Sequence, residues 1–241
     1  QTCALPISHL FIAYGSSLLA QDELQVAEHP ILGSLREALD SMGKPPQTVD
    51  SHRRPTPITI AGVQRRCAIE TQPNANAGRP AGLYGNAFAH ASEEEVLSAT
   101  KPISPPTISN ILAMAALACG HGDYTRDQIS YVAVTAYTGF LAARWESENI
   151  TPPNSRAVIH TGFWGCGAFG GNRELMTILQ ALAADLAQVD VVFHAFDEAG
   201  VALADSAVGR FRNISDSASS VSQVLDLLTA HRFQWGESDG N

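Results

Sequence analysis

The sequence predicts an α/β fold, a sheet flanked by helices with a helical segment ahead of it, and residues 156–197 carry most of that prediction. Three observations converge there. The apolar run 157–159 reads as a strand opening into glycines at 162, 165, 167, 170 and 171. Leu175, Ile178, Leu179, Leu182, Ala183 and Leu186 then recur at helical spacing, giving one apolar face to pack on a sheet. Val191, Val192, Phe193 and Phe196 complete a strand–loop–helix–strand unit with the β-branched and aromatic run of a buried parallel strand.

The rest of the chain is read in order. Residues 1–8, QTCALPIS, start with glutamine rather than methionine and read as a non-native leader, set aside from fold reasoning. Residues 9–57 form an N-terminal helical segment: Leu10, Ile12, Leu18 and Leu19, then Ile31, Leu32, Leu35 and Leu39, predict helix through 9–42, with Gly43 as the stop. The main domain is expected over 58–241. Its start reads as two short strands, 58–60 and 67–69, followed by a long loop over 70–92 that is dense in Gly, Asn and Ala. Ile108, Ile111, Leu112, Ala115 and Ala116 predict a helix ending near Cys119, and 129–145 predicts another. Residues 198–218 read as irregular, and Val221, Val224, Leu225 and Leu228 predict a closing helix.

Composition bounds the chemistry. With 45% hydrophobic residues in 241, the chain can bury a core as one domain or two. Fifteen basic against 24 acidic residues give a net charge of −9, and no Lys/Arg cluster offers a groove for reading nucleic acid. No apolar run is long enough to span a bilayer. Cys3, Cys67, Cys119 and Cys166 are scattered without CxxC or Cys/His ligand spacing, so they read as reduced thiols of a cytoplasmic protein. No metal or other cofactor is expected.

The glycine loop points to anion binding. Glycines let a backbone turn with positive φ and approach a ligand closely, while the first N–H groups of the next helix favour a phosphate. The alternative is a tight connection that binds nothing, although five glycines in ten residues carry an entropic cost that a plain turn does not require. Residues 165–170 also match G-x-G-x-x-G, and Asp197 ends the next strand where a dinucleotide fold places its ribose-binding acid, so an NAD-dependent enzyme is a second reading. Upstream, Ser92-Glu93-Glu94-Glu95 is either a capping box with acids suited to a helix N-terminus or a carboxylate cluster facing a ligand.

A longer string separates these readings. TGFWGCGAFGGNRELMTILQALAADLAQVDVVFHAF, residues 161–196, resembles the C-terminal part of the catalytic macrodomain of poly(ADP-ribose) glycohydrolases, whose pattern runs TGNWGCGAFGG, a helix, then DVVYFTF; VSQVLDLL resembles that family's last helix. The resemblance implies a macrodomain-like mixed sheet with one cleft at the strand C-termini. It implies that Gly165, Cys166, Gly167, Ala168, Phe169, Gly170 and Gly171 wrap the diphosphate of ADP-ribose, that Phe169 packs near the distal ribose, and that Phe196 stacks on adenine. The family's catalytic signature, three glycines and then Gln-Glu-Glu, an apolar residue and a proline, is similar to Gly82-Leu83-Tyr84-Gly85, then Glu93-Glu94-Glu95-Val96 and Pro102. Glu95 thereby matches the catalytic glutamate and Glu94 its ribose-contacting neighbour, with Gly85 and Glu93 in ligand-contacting places; Tyr124 and Tyr137 are candidates for an adenine-side tyrosine.

The implied substrate is poly(ADP-ribose), or ADP-ribose attached to proteins. The implied reaction is O-glycosidic cleavage, in which a carboxyl group beside the bound diphosphate protonates the departing ribose hydroxyl and water attacks an oxocarbenium-like centre. Because two glycines of the triple are replaced, an ADP-ribose-binding module without turnover stands as the alternative of a different class.

Overall fold

The computed structural model describes residues 2–6 as backbone, and residues 11, 14–44, 46–117, 119–150 and 155–240. The elements run β1 (Thr2–Pro6), α1 (Gln21–Glu28), α2 (Ile31–Ser41), β2 (Ile58–Ile69), α3 (Glu93–Ala99), β3 (Thr100–Met114), α4 (Arg126–Ile150), β4 (Val158–Thr161), α5 (Arg173–Ala187), β5 (Asp190–Phe193), α6 (Glu198–Ser217) and α7 (Val221–Ala230). The hydrogen-bonded strand order is β2-β3-β1-β4-β5. Two compact units divide the chain, one holding Gln1–Ser8, Thr48–Thr59 and Leu112–Gly240, the other His9–Gln47 and Ile60–Ile111.

The larger unit is built around α5. Asn172 starts this helix by accepting the Leu175 N–H on its side-chain oxygen at 2.9 Å, a cap expected to be worth about 1 kcal/mol. Leu175, Ile178, Leu179 and Ala183 are almost wholly buried, each large aliphatic one contributing on the order of 1.5–3 kcal/mol by leaving water. Burial is not confined to one stripe: Met176, Thr177, Gln180, Ala184 and Ala187 are buried as well, because α4 and α6 pack against α5. Leu186, expected on the apolar face, is 41% exposed. β4 and β5 pair in parallel with Val158 opposite Asp190 and Thr161 opposite Phe193. β1 pairs in parallel with β4, Cys3 opposite His160, so the peptide set aside as a leader forms a strand.

The smaller unit has its own cluster, Leu19, Leu83 and Ala99, with Leu24, Ile69, Phe88 and Val96 against it. Its buried Glu28 is paired with the Arg65 guanidinium at 2.8 Å and accepts the Ile69 N–H at 2.9 Å, which satisfies a carboxylate that would otherwise be costly to bury.

Four sequence expectations are corrected. Residues 58–60 and 67–69 are not two strands but the ends of continuous β2: Val63 is buried and Gln64 and Arg66 exposed, so the polar-looking middle keeps the alternation of a strand. The helix expected over 108–116 is the end of β3, where residues 111–114 are all buried; an unbroken apolar run fits a strand covered on both faces as well as it fits a helix. Residues 198–217, expected to be irregular, are helix α6, buried through Ala204, Ala207, Phe211 and Ile214, half of them alanines with little apolar signal. Helix through 9–42 is two helices, α1 and α2, with 14–20 outside both; Leu10 and Ile12 lie outside the described residues. β5 is also less buried than expected, with Val192 40% exposed at the end of the strand order. The loop over 70–92 contains two short 3-10 turns, at Ala75–Ala77 and Asn86–His90.

Candidate functional site

In the larger unit, the chain leaves β4 and turns through residues 162–172 before α5. Gln180, buried on α5, fixes the start of this turn: it accepts the Thr161 hydroxyl at 2.6 Å and donates to the Gly162 carbonyl at 3.0 Å. Nothing in the periodicity of α5 marks this glutamine as more than a polar interruption. Within the turn, the Cys166, Gly170 and Gly171 amides donate to the Phe163, Gly167 and Gly165 carbonyls at 3.0, 3.0 and 2.9 Å. Gly165 and Gly170 sit at φ of 74° and 64°, where L side chains are strained. A Cβ on Gly171 would lie 2.6 Å from the Gly165 carbonyl oxygen, so two stretches of main chain touch there.

The loop's polarity is one-sided. Among the described residues, the amides of Gly167, Ala168 and Phe169 donate to no acceptor, whereas the Gly167 and Phe169 carbonyls are occupied, the latter by the Cys119 N–H at 3.1 Å. These three residues are half-buried. Among the described residues these are three successive donors without an acceptor a few residues ahead of a helix N-terminus, the kind of backbone group with which an anion can pair.

The neighbouring predicted residues fall as follows. Cys166 is buried, and burial pushes its thiol up to about 12, so it is a packing group and not a nucleophile. Phe196 is 88% exposed, an aromatic face with no core role. Phe163, at the position where the family pattern has asparagine, packs edge-on to Phe193 at 5.0 Å under the Arg173 guanidinium. Asp197 accepts the Gly200 N–H at 2.7 Å as the N-cap of α6, a structural duty that accounts for the acid on which the dinucleotide reading drew. Tyr124 is not an adenine platform: it is 2% exposed, stacked on Trp235 at 4.3 Å, and its hydroxyl accepts the Asn172 N–H. Tyr137 is partly buried against the same core.

In the smaller unit, both readings of Ser92–Glu95 meet in one structure. Ser92 caps α3 by accepting the Glu95 N–H at 3.3 Å, and the Glu95 carboxylate accepts the Ser92 N–H and hydroxyl, each at 2.7 Å. Those Ser92 donors, backbone first, hold the Glu95 carboxyl below the ordinary glutamate range, and the charge of Arg79 acts in the same direction. Glu93 and Glu94 are exposed. Arg79 is 2% exposed and donates to Ser98 on α3 and to Glu70 at the end of β2, at 3.0 and 3.2 Å, which anchors the acidic helix. Gly85 spends its own N–H and C=O on a bridge with Leu19, at 3.0 and 3.3 Å, so its amide is engaged internally.

Among the described residues no three His, Cys, Asp or Glu side chains gather as metal ligands, and no helix is long and apolar enough to cross a membrane.

An α/β fold with a parallel strand pair, a donor-lined glycine loop and a separate acidic helix cap defines a class, and comparison with known proteins supplies the family. The family described as poly(ADP-ribose) glycohydrolase (PARG), macro domain fold, matches residues 80–202, just over half of the 241-residue chain. The chain belongs to that family. It is similar in fold to the crystal structure of poly(ADP-ribose) glycohydrolase bound to the inhibitor ADP-HPD from Thermomonospora curvata, at 18% identity and a TM-score of 0.50, over 87% of this chain and 70% of that one. The family match includes Gly82, Glu93–Glu95, the 165–171 loop and Phe196, and ends ahead of α7.

Proposed function

We propose that this chain hydrolyses the ribose–ribose O-glycosidic bonds of poly(ADP-ribose), or releases ADP-ribose from modified proteins. The loop of Gly165, Cys166, Gly167, Ala168, Phe169, Gly170 and Gly171 supplies diphosphate recognition, Phe196 the adenine platform, and Glu95 the acid, with Glu94 on a ribose hydroxyl and Glu93 and Gly85 at the edge of the ligand. The observation that carries this reading is the row of three loop amides with no acceptor among the described residues. A diphosphate supplies the missing acceptors. Family membership supports the reaction class, and the chain shares its fold with a structure that holds the inhibitor ADP-HPD.

Calorimetric titration with ADP-ribose tests the recognition half. One-to-one binding at micromolar concentration or below is expected; a folded protein that binds no ADP-ribose would overturn the reading. Phe196→Ala is expected to weaken binding by about 5- to 150-fold, since base–aromatic stacking is worth roughly 1–3 kcal/mol, while thermal stability stays unchanged because the ring is 88% exposed.

The acid half has a pH signature. A general acid acts in its protonated form, and the two Ser92 bonds favour the ionised Glu95 carboxylate, so protonating Glu95 weakens the charge-assisted bonds that its Oε2 accepts. Because the Glu95 pKa is depressed by folding, its capping bonds stabilise the chain above the unfolded-state pKa and are lost as pH falls through the folded one. Ser92→Ala removes the hydroxyl bond and lets the pKa rise. The pH–rate profile for polymer hydrolysis should then keep its high-activity limb to a higher pH than in the wild type. A descending limb that does not move would take Glu95 out of the acid role.

A further inference from the structure

The segment that follows α7 lies outside the family match, yet it holds the glycine loop. Its anchor is Trp235, whose indole stacks on Tyr124 at 4.3 Å and 11° and whose main-chain N–H donates to the Gly122 carbonyl at 2.9 Å. Gly120 leaves the room for it, since a Cβ there would stand 2.0 Å from the indole ring. Before the anchor, the Phe233 carbonyl accepts the Tyr124 N–H at 2.8 Å, and Asn172, the cap of α5, donates its side-chain amide to the Gln234 carbonyl at 2.8 Å. Beyond it the chain crosses the loop: the Gly236 N–H donates to the Gly170 carbonyl at 2.9 Å, and the Asp239 N–H to the Gly167 carbonyl at 3.4 Å.

These bonds fall on loop carbonyls and on none of the three unpaired loop amides. In a planar trans peptide the C=O and the following N–H point in opposite directions. Holding the Gly167 carbonyl therefore turns the Ala168 N–H away from the tail. We propose that Trp235–Gly236 and the Asp239 main chain are a positioning clamp for the anion loop, fixing its carbonyls so that its amides are presented to the ligand diphosphate. This rests on the diphosphate reading of the loop given above.

The test is calorimetric titration of ADP-ribose, with adenosine as a phosphate-free control, into the full chain and its Trp235→Ala, Gly120→Ala and Gly236→Pro variants. Trp235→Ala removes the anchor, Gly120→Ala expels the indole while every residue of tail and loop keeps its identity, and Gly236→Pro deletes one donor. Circular dichroism selects the variants that are folded at the titration temperature. The expected result is about a ten-fold weaker ADP-ribose Kd, the scale of one misaimed charge-assisted hydrogen bond, with adenosine affinity unchanged. For polymer hydrolysis, KM should rise by a similar factor and kcat should hold. A tail that only stabilises the fold would lower Tm and leave Kd alone. Folded variants that bind ADP-ribose as the wild type does, or more tightly, would overturn the clamp and leave the diphosphate reading standing. A wild type that binds no ADP-ribose would overturn both. Amide hydrogen exchange on the wild type is a second measurement: residues 167–170 and 236–239 should gain protection together at saturating ADP-ribose, and protection of the loop alone would count against the clamp.

Discussion

Glu95→Gln is expected to lower the turnover of poly(ADP-ribose) by about 10²–10⁴-fold, the range a positioned general acid contributes, while ADP-ribose affinity stays within about two-fold. The substitution isolates chemistry from folding for a reason visible at α3. Glutamine at the third helical position closes a capping box as glutamate does, accepting the Ser92 N–H on its amide oxygen. The helix start survives and only the titratable proton is lost. Kinetics on the polymer together with a calorimetric Kd make the measurement. Turnover within two-fold of the wild type would remove Glu95 as the acid; a parallel loss of turnover and affinity would make it a binding residue.

The second large effect is expected at Gly171. The loop closes on itself there, the Gly171 N–H meeting the Gly165 carbonyl at 2.9 Å, and an alanine Cβ would fall 2.6 Å from that same oxygen. No side-chain rotation relieves a main-chain clash, so the loop must open. Overpacking of this kind costs about 1–3 kcal/mol, which is a loss of about 5- to 150-fold in ADP-ribose affinity if the cost falls on the bound loop geometry. It is about 2–4 °C in Tm per kcal/mol if the cost falls on the fold of a chain this size. Calorimetry and thermal unfolding on Gly171→Ala separate the two. An alanine variant with unchanged Kd and Tm would show that the close approach at Gly165 is dispensable.

The legible part of this protein is local. The glycine loop could be found in the sequence because its constraint is carried by the residues themselves: positive φ at Gly165 and Gly170 and a main-chain contact at Gly171 exclude side chains whatever the rest of the fold does. The same holds for α5, whose apolar spacing survives in Leu175, Ile178, Leu179 and Leu182, and for the capping box, since Ser92 and Glu95 meet across three residues of one helix. Family membership, too, lay in contiguous strings.

What escaped the sequence depends on partners distant along the chain. Residues 111–114 are equally apolar as helix or strand, and a strand results because they are covered on both faces in β3. α6 was hidden because alanine gives a weak apolar signal and becomes core only when α5 lies close against it. Tyr124 reads as a candidate adenine-side tyrosine until Trp235, more than a hundred residues later, stacks on it in the core. The sequence by itself determined where a loop of bare backbone stands, through the glycines that permit positive φ at 165 and 170 and the close main-chain approach at 171. Only the tertiary structure decided which loop carbonyls are occupied, because a hydrogen bond from Cys119 or Asp239 is a matter of which segments meet in space and leaves no periodic trace in either one.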